Sequence, residues 1–450
     1  MTRRELLSHP VAIVGVLMTT ASAVVFIALV IAMLAGMLVN PYAGLVVFIA
    51  IPALFVAGLL LVPVGARLQR RKLARDPQAV IDYPVLDFRR ASVRRTAVII
   101  TALTAVNVII VLLAGYGTLH WMESPTFCGQ VCHTPMHPQH AAWQSAAHAR
   151  IACAECHISD GVSGFMYAKM SGLRQLAHVV TNSVPKPIPP GAHMQPGAQA
   201  KTCAGCHQPG KRTGDRLRVI REYADDEANG ETATVLQLHV NPGSTTSTRA
   251  IHWHANPAIR IEYVATDPQH ETIPYVKVTD AAGNVKEYVA PDTSEQTIST
   301  GERRVMDCVD CHNTVGHPIS ATPERAVDNA IAAGQVSRTL PFARREGVRL
   351  VKASYPSQDA ADQAIDEGLR AFYQKQARSN DEELRRAVRA FQDVYRRNVF
   401  PTMNVTWGSY PDQKGHVTSN GCFRCHDDSH AAKDGSTISA DCEYCHKQLE

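Results

Sequence analysis

Six times the sequence sets a close pair of cysteines directly before a histidine. The sets are Cys128/Cys132 with His133, Cys153/Cys156 with His157, Cys203/Cys206 with His207, Cys308/Cys311 with His312, Cys422/Cys425 with His426, and Cys442/Cys445 with His446. All twelve cysteines are used in this way. Two thiols and an imidazole within about one helical turn are what covalent attachment of a c-type haem needs, the thiols forming thioethers with the vinyl groups and the imidazole binding iron. Zinc ribbons and local disulfides share the Cys-x-x-Cys spacing, but neither requires the histidine behind every pair. Six covalently bound haem c groups are therefore expected.

A second nitrogen ligand closes an iron to substrate and leaves it an electron carrier, whereas a vacant position would permit reduction of a small molecule. Thirteen of the twenty histidines remain once His9 and the six motif histidines are set aside, ample for a distal ligand at each motif. The expected distal set is His148, His178, His239, His317, His416 and His430, with His252, His254 and His140 in reserve. Against each stands the plainer reading of a solvated or core histidine.

The elements that must position this chemistry divide sharply at residue 120. Before it lie nearly all the long apolar runs; after it the chain is polar, rich in Pro and Gly, and holds every cysteine. Val11 to Val39 carries no charge and exceeds the roughly 20 residues that cross a bilayer. Ala21-Ser22-Ala23 imitates a signal-peptide cleavage site, but the apolar run continues well past it. Asn40-Pro41 reads as a turn, and Tyr42 to Ala66 as a second span kinked by Pro52 and Pro63. Arg67 to Arg95 follows with nine basic residues against Asp76, Asp82 and Asp87, which makes it a cytoplasmic loop by the positive-inside rule. The N-terminus is then cytoplasmic too, and the third span, Ala97 to Leu119, delivers everything after it to the outside. Covalent haem attachment belongs to that same outer face of the bacterial cytoplasmic membrane, so motif content and charge bias agree. Asn107 within the third span reads as a helix–helix hydrogen bond or part of a quinone pocket, and His120 and Trp121 suit the interface. The formal net charge of +4 gives no sign of nucleic-acid binding.

The expected fold is a mainly α, membrane-anchored multihaem cytochrome c with a loop-rich, haem-packed periplasmic part. Residues 1–120 form the anchor, with spans at about 11–39, 42–66 and 97–119 and the loop at 67–95. A three-haem domain covers 121–215, including a helical stretch over Gly164 to Val180 with Tyr167, Lys169, Arg174 and His178. A β-containing insertion covers 216–300, in which Ile259 to Thr266, Ile273 to Thr279 and Val285 to Val289 alternate apolar and polar residues around a turn at Asp280 to Asn284. A second three-haem domain covers 301–450, with a helical insertion at 321–400. There Thr322-Pro323-Glu324, Pro341 and Ser357 open helices, and Ser379-x-x-Glu382 is a capping box for a segment ending near Asn398. The fifth and sixth motifs are so close in sequence that their haems are expected to pack as a pair.

Read as they stand, TFCGQVCHTPM, SAAHARIACAECHISDG and YAKMSGLRQLAH, with VMDCVDCHNTVGHP and NGCFRCHDDSH further on, resemble the NapC/NirT family of membrane-anchored multihaem quinol dehydrogenases. The resemblance is clearest over about residues 115–210 and implies that a quinol binds against the first haem beside the membrane, in contact with a lysine. Lys169 matches that lysine. The family's acidic residue two turns further on is not evident, Leu176 and His178 standing there, so Glu123 or Asp160 would accept the proton. The first motif here is Cys-x3-Cys-His, and Met136 lies one residue later than the family's usual methionine; either Met136 or His133 holds the first iron, or Met136 fills a gap beside the porphyrin. The family has typically one span where this chain has three.

The resulting functional expectation is a cytoplasmic-membrane quinol dehydrogenase, passing electrons from (mena)quinol through six haems to a periplasmic acceptor. Its partners would be the membrane quinone pool, a periplasmic redox protein or reductase, and other respiratory subunits. The alternative is an electron-wire subunit of a larger respiratory complex without a quinol site, and behind it a terminal reductase. Oxidation of a menaquinol analogue separates the first two, and a ligand-accessible iron marks the third.

Overall fold

An apolar stretch in lipid must satisfy its amides internally, and a helix does so within one segment. The computed structural model folds the N-terminal part accordingly, as α1 (Pro10–Leu34), α2 (Ile51–Arg75) and α3 (Ala91–Met122). It describes residues 9–34, 47, 50–75, 88–131, 133–158, 161–190, 199–207, 214–241, 250–375 and 381–449. The chain divides into two compact units, Met1–Val131 and Cys132–Glu450, with the boundary inside the first motif.

In the first unit, two helical stretches among the described residues are long and apolar enough to cross a membrane, Pro10–Leu29 and Ile51–Arg71. The expected turn at Asn40-Pro41 lies outside the described residues. α2 ends at Arg75, past Ala66. Arginine and lysine are good helix formers, so the helix does not stop where the apolar residues do. Pro63 lies inside α2, where a proline removes a backbone hydrogen bond. α1 and α2 pack through small residues. A Cβ on Gly15 would stand 2.8 Å from the Gly58 carbonyl oxygen, and one on Gly58 would stand 2.8 Å from the Thr19 amide nitrogen. Gly65 abuts the backbone of Ala12 in the same way. Close backbone approach of this kind is how helices associate where the surroundings are as apolar as leucine. Thr19 and Ser22 donate their hydroxyls back to the Gly15 and Met18 carbonyls, so neither is left unsatisfied. Leu17, Val24 and Leu60 point outward.

The second unit opens with α4 (His133–Gln144), α5 (Cys153–His157), α6 (Gly161–Val180) and α7 (Gln199–Cys206). A hairpin of β1 (Gly214–Tyr223) and β2 (Glu231–Asn241) follows, then β3 (Arg260–Ala265), β4 (Tyr275–Thr279), β5 (Val285–Val289), α8 (Glu295–Thr300) and β6 (Glu302–Val305). β3 to β5 fall where alternation placed them, and Asp280 Oδ1 accepts from the Ala282 and Asn284 amides to form the expected turn. β1 and β2 add two strands to those expected. Apolar Leu217 and Val219 are exposed on β1, so this strand carries no buried stripe to betray it.

Both sheets are antiparallel and both are finished by chain from beyond the helical insertion. β8 (His446–Leu449) joins β2 in the order β1-β2-β8, and β7 (Ala431–Ala432) joins β5 in the order β6-β3-β4-β5-β7. The fifth and sixth motifs are thereby stitched onto the β insertion.

Four helices, α9 (Pro323–Ala332), α10 (Ala343–Lys352), α11 (Gln358–Gln374) and α12 (Asp381–Asn398), carry the largest apolar core. Thr322 and Ser357 cap α9 and α11 by accepting from the Arg325 and Ala360 amides. Ser379 of the expected capping box lies outside the described residues. Phe391, Tyr373, Ile365 and Leu369 are fully buried. The β1–β2 hairpin docks on this bundle through Tyr223 and buried Asn229, whose Nδ2 donates to the Arg338 and Leu340 carbonyls while its Oδ1 accepts from the Arg344 amide.

Candidate haem sites

A Cys-x-x-Cys-His segment coiled into one turn brings both thiols and the imidazole to the same side. The second and third motifs form α5 and the end of α7, and the last three form 3-10 turns at Cys308–Asp310, Gly421–Arg424 and Cys442–Tyr444. The histidine amide bonds back to the first cysteine's carbonyl at 2.7 Å for His207, 2.8 Å for His312 and 3.0 Å for His426. The fourth motif is fixed further by its own residues: Asp310 Oδ2 accepts from the Asp307 amide at 2.6 Å, and Tyr263 donates to Asp310 Oδ1 at 2.5 Å. Cys132 lies outside the described residues; Cys128 is half-buried in the π-turn Phe127–Val131, and His133 opens α4.

Five motif histidines face one non-motif histidine each. Ring centroids are 6.1 Å apart for His157 and His317, 6.0 Å for His207 and His148, 6.3 Å for His312 and His252, 5.8 Å for His426 and His254, and 6.1 Å for His446 and His416. A metal–imidazole bond is about 2 Å and a ring nitrogen lies about 1.1 Å from its centroid, so two imidazoles on opposite sides of one metal have centroids roughly 6 Å apart. Ordinary ring contacts fall at about 4.5–7 Å too, so what marks these five is that each joins a motif histidine to a non-motif one. Hydrogen bonding agrees, because Nδ1 of His317, His254 and His426 lies 2.9, 2.8 and 2.8 Å from the carbonyls of Gln139, Ile251 and Ser439. A carbonyl acceptor fixes the proton on Nδ1 and leaves Nε2 as the metal-binding nitrogen. Burial pushes His252, His254, His312, His317 and His446 below the ordinary histidine value, toward the neutral form a metal takes. These residues fit a haem iron between them. Among the described residues no three His, Cys, Asp or Glu side chains gather as a site for a bare ion.

Other expected residues stand elsewhere. His430 is buried with both ring nitrogens engaged, Nδ1 with Asp427 Oδ1 at 2.9 Å and Nε2 with the Ile273 carbonyl at 2.7 Å. Both nitrogens face oxygen partners, so neither is turned toward an iron. His239 on β2 pairs through Nδ1 with Asp215 at 3.0 Å. His178, near the end of α6, meets the Ser183 hydroxyl at 2.8 Å. His140 stacks on Trp143, and Met136 packs against the cluster of Ile188, Ile319, Phe400 and Met403. Lys169 is half-buried on α6, the helix that exposes Met166, Met170 and Leu173 on its surface. Glu123 follows α3 directly, its amide bonding to the Leu119 carbonyl. Asp160 lies outside the described residues.

From the second motif to the sixth, neighbouring motifs touch in chain order. Cys156 feels Cys203 and Cys206, Cys203 shares a hydrogen bond with Cys308, Cys311 feels Cys422, Cys425 feels Cys311 and Cys422, and Cys445 feels Cys422. The shared bond lowers the Cys203 thiol and raises that of Cys308. Burial pushes Cys311 up to about 11 and Cys425 up to about 12. Arg424, inside the fifth motif, donates to the Asp310 carbonyl inside the fourth at 2.8 Å, to the His270 carbonyl at 3.0 Å and to the Gly421 carbonyl at 2.8 Å. In the sequence Arg424 is only a spacer between two cysteines.

A family model described as the NapC/NirT cytochrome c family, N-terminal region, matches residues 90–188. The chain is 36% identical over 453 residues to the cytochrome c-type protein ImcH of Geobacter sulfurreducens, an alignment covering 98% of this chain and 88% of that protein. No solved structure matches.

Proposed function

Because the chain belongs to the NapC/NirT cytochrome c family, we propose that it is a quinol dehydrogenase of the bacterial cytoplasmic membrane, passing electrons from menaquinol through six c-type haems to a periplasmic acceptor. That it is a membrane multihaem cytochrome of electron transfer follows from the family and the relative. The observation that carries the finer reading is the set of five facing imidazole pairs at 5.8 to 6.3 Å.

Bound haem supplies reversible one-electron chemistry at its iron. The chain does the holding. Each cysteine pair would anchor a porphyrin as thioethers, with His133, His157, His207, His312, His426 and His446 as proximal ligands. His148, His317 and His416 would be the distal ligands opposite His207, His157 and His446, the Gln139 carbonyl orienting the His317 ring. With an imidazole on both sides no position is left for substrate, which favours electron carriage over terminal reduction. At the first site the choice between His133 and Met136 stands as before.

Three spans with the Arg67 to Arg95 loop in the cytoplasm would put the N-terminus inside and every motif outside. The 216–300 and 301–450 segments would then act as one periplasmic body, since they share both sheets. Lys169 would hydrogen-bond a quinol oxygen and Glu123 or Asp160 take its proton; the apolar surface of α6 beside Lys169 supports a lipid-soluble reductant.

The test is oxidation of a menaquinol analogue by the detergent-solubilised chain and by Lys169→Ala carrying its full haem complement. The parent is expected to turn over and the variant to lose most of that rate. A parent that takes electrons only from another respiratory protein would make it a wire without its own quinol site.

A further inference from the structure

We propose that one short turn, Ile251–Ala255, supplies the distal ligands of two consecutive haems, His252 opposite His312 at the fourth motif and His254 opposite His426 at the fifth. The inference rests on haem being carried at both motifs, as the proposed function requires. In a 3-10 turn each residue advances about 120°, so residues two apart diverge by roughly 240° and their side chains cannot reach the same point. They can reach two. His252 and His254 do so, with centroids 6.3 and 5.8 Å from those of His312 and His426.

The turn itself is anchored. Trp253, between the two histidines, packs with Ile261, Tyr263 and Val276 on the five-stranded sheet and makes an edge contact with the His254 ring. His254 Nδ1 lies 2.8 Å from the Ile251 carbonyl, which leaves Nε2 for metal. Across from the turn, the Arg424 bond to the Asp310 carbonyl ties the two motifs to each other at 2.8 Å. The β insertion is thus a clamp that fixes two redox centres at one separation, and it carries none of the haem-attachment motifs itself. His430 is engaged elsewhere, by Asp427 and Ile273, and His239 lies at the sixth motif, its amide donating to the Cys445 carbonyl at 2.8 Å.

Methionine variants of the full solubilised chain test this, with haem at each motif verified by peptide mass. H252M and H254M are each expected to convert one haem in six from bis-histidine to histidine–methionine, visible as a methionine–iron charge-transfer band and one raised midpoint potential. H430M should leave all six haem spectra as they are. If H252M is not recoverable, H252G should show one high-spin haem that added imidazole returns to low spin. Unchanged spectra in fully loaded H252M and H254M, or a converted haem in H430M, would overturn the assignment. Missing haem at the fourth and fifth motifs would instead overturn the functional reading beneath it.

Discussion

Replacing Arg424 by methionine keeps an unbranched stem and removes the guanidinium that joins the fourth and fifth motifs. The bond to Gly421 is local and water can replace it. The bonds to the Asp310 and His270 carbonyls, at 2.8 and 3.0 Å, span more than a hundred residues of chain and set the scale. Bonds from a charged donor contribute about 1.5–3 kcal/mol each, so the pair would sum to roughly 3–6 kcal/mol if nothing relaxed. Arg424 is only half-buried, and partial rehydration of both carbonyls brings the expected cost to about 2–4 kcal/mol. The amides of His312 and His426, which bond to the Cys308 and Cys422 carbonyls, report the local opening. At tenfold per 1.4 kcal/mol, their hydrogen exchange should accelerate roughly 30- to 700-fold, while amides in α9–α12 keep their rates. Arg424→Lys, with a single point of charge, should fall between. Exchange within about twofold of the parent at both amides would refute the view that this side chain holds the two motifs together.

In the membrane hairpin, Gly58→Leu should force α1 from α2 at Thr19 and Gly15, costing about 1–3 kcal/mol and lowering the temperature at which the solubilised N-terminal part becomes protease-sensitive. Phe391→Ala should destabilise the helical bundle by about 3–5 kcal/mol, read as a lower urea midpoint of the far-UV signal with haem content unchanged. Its ring closes over Gly347, so Gly347→Leu should also destabilise the bundle in the same assay. A chain denied haem by Cys→Ser changes at the motifs should lose order around the facing imidazoles, whereas residues 323–398, with a core of their own, should persist as a fragment in limited proteolysis. Uniform cleavage across that bundle would show that its stability depends on the haem-bearing parts.

What the sequence determined by itself is whatever depends on neighbours in the chain. Two thiols and an imidazole must be nearly contiguous to attach one porphyrin, so all six motifs stand in the primary sequence. Hydropathy and turn chemistry are equally local, which is why α1, β3 to β5 and the capped starts of α9 and α11 lie close to where the pattern placed them. Which histidine faces which motif is a different kind of fact. His430, four residues beyond His426, reads as the better partner until Asp427 and Ile273 are seen to occupy both its nitrogens. His252 and His254 read as reserves until a 3-10 turn aims them at two motifs far along the chain. A ring's partner is set by the packing of distant segments, and sequence spacing carries no record of that distance.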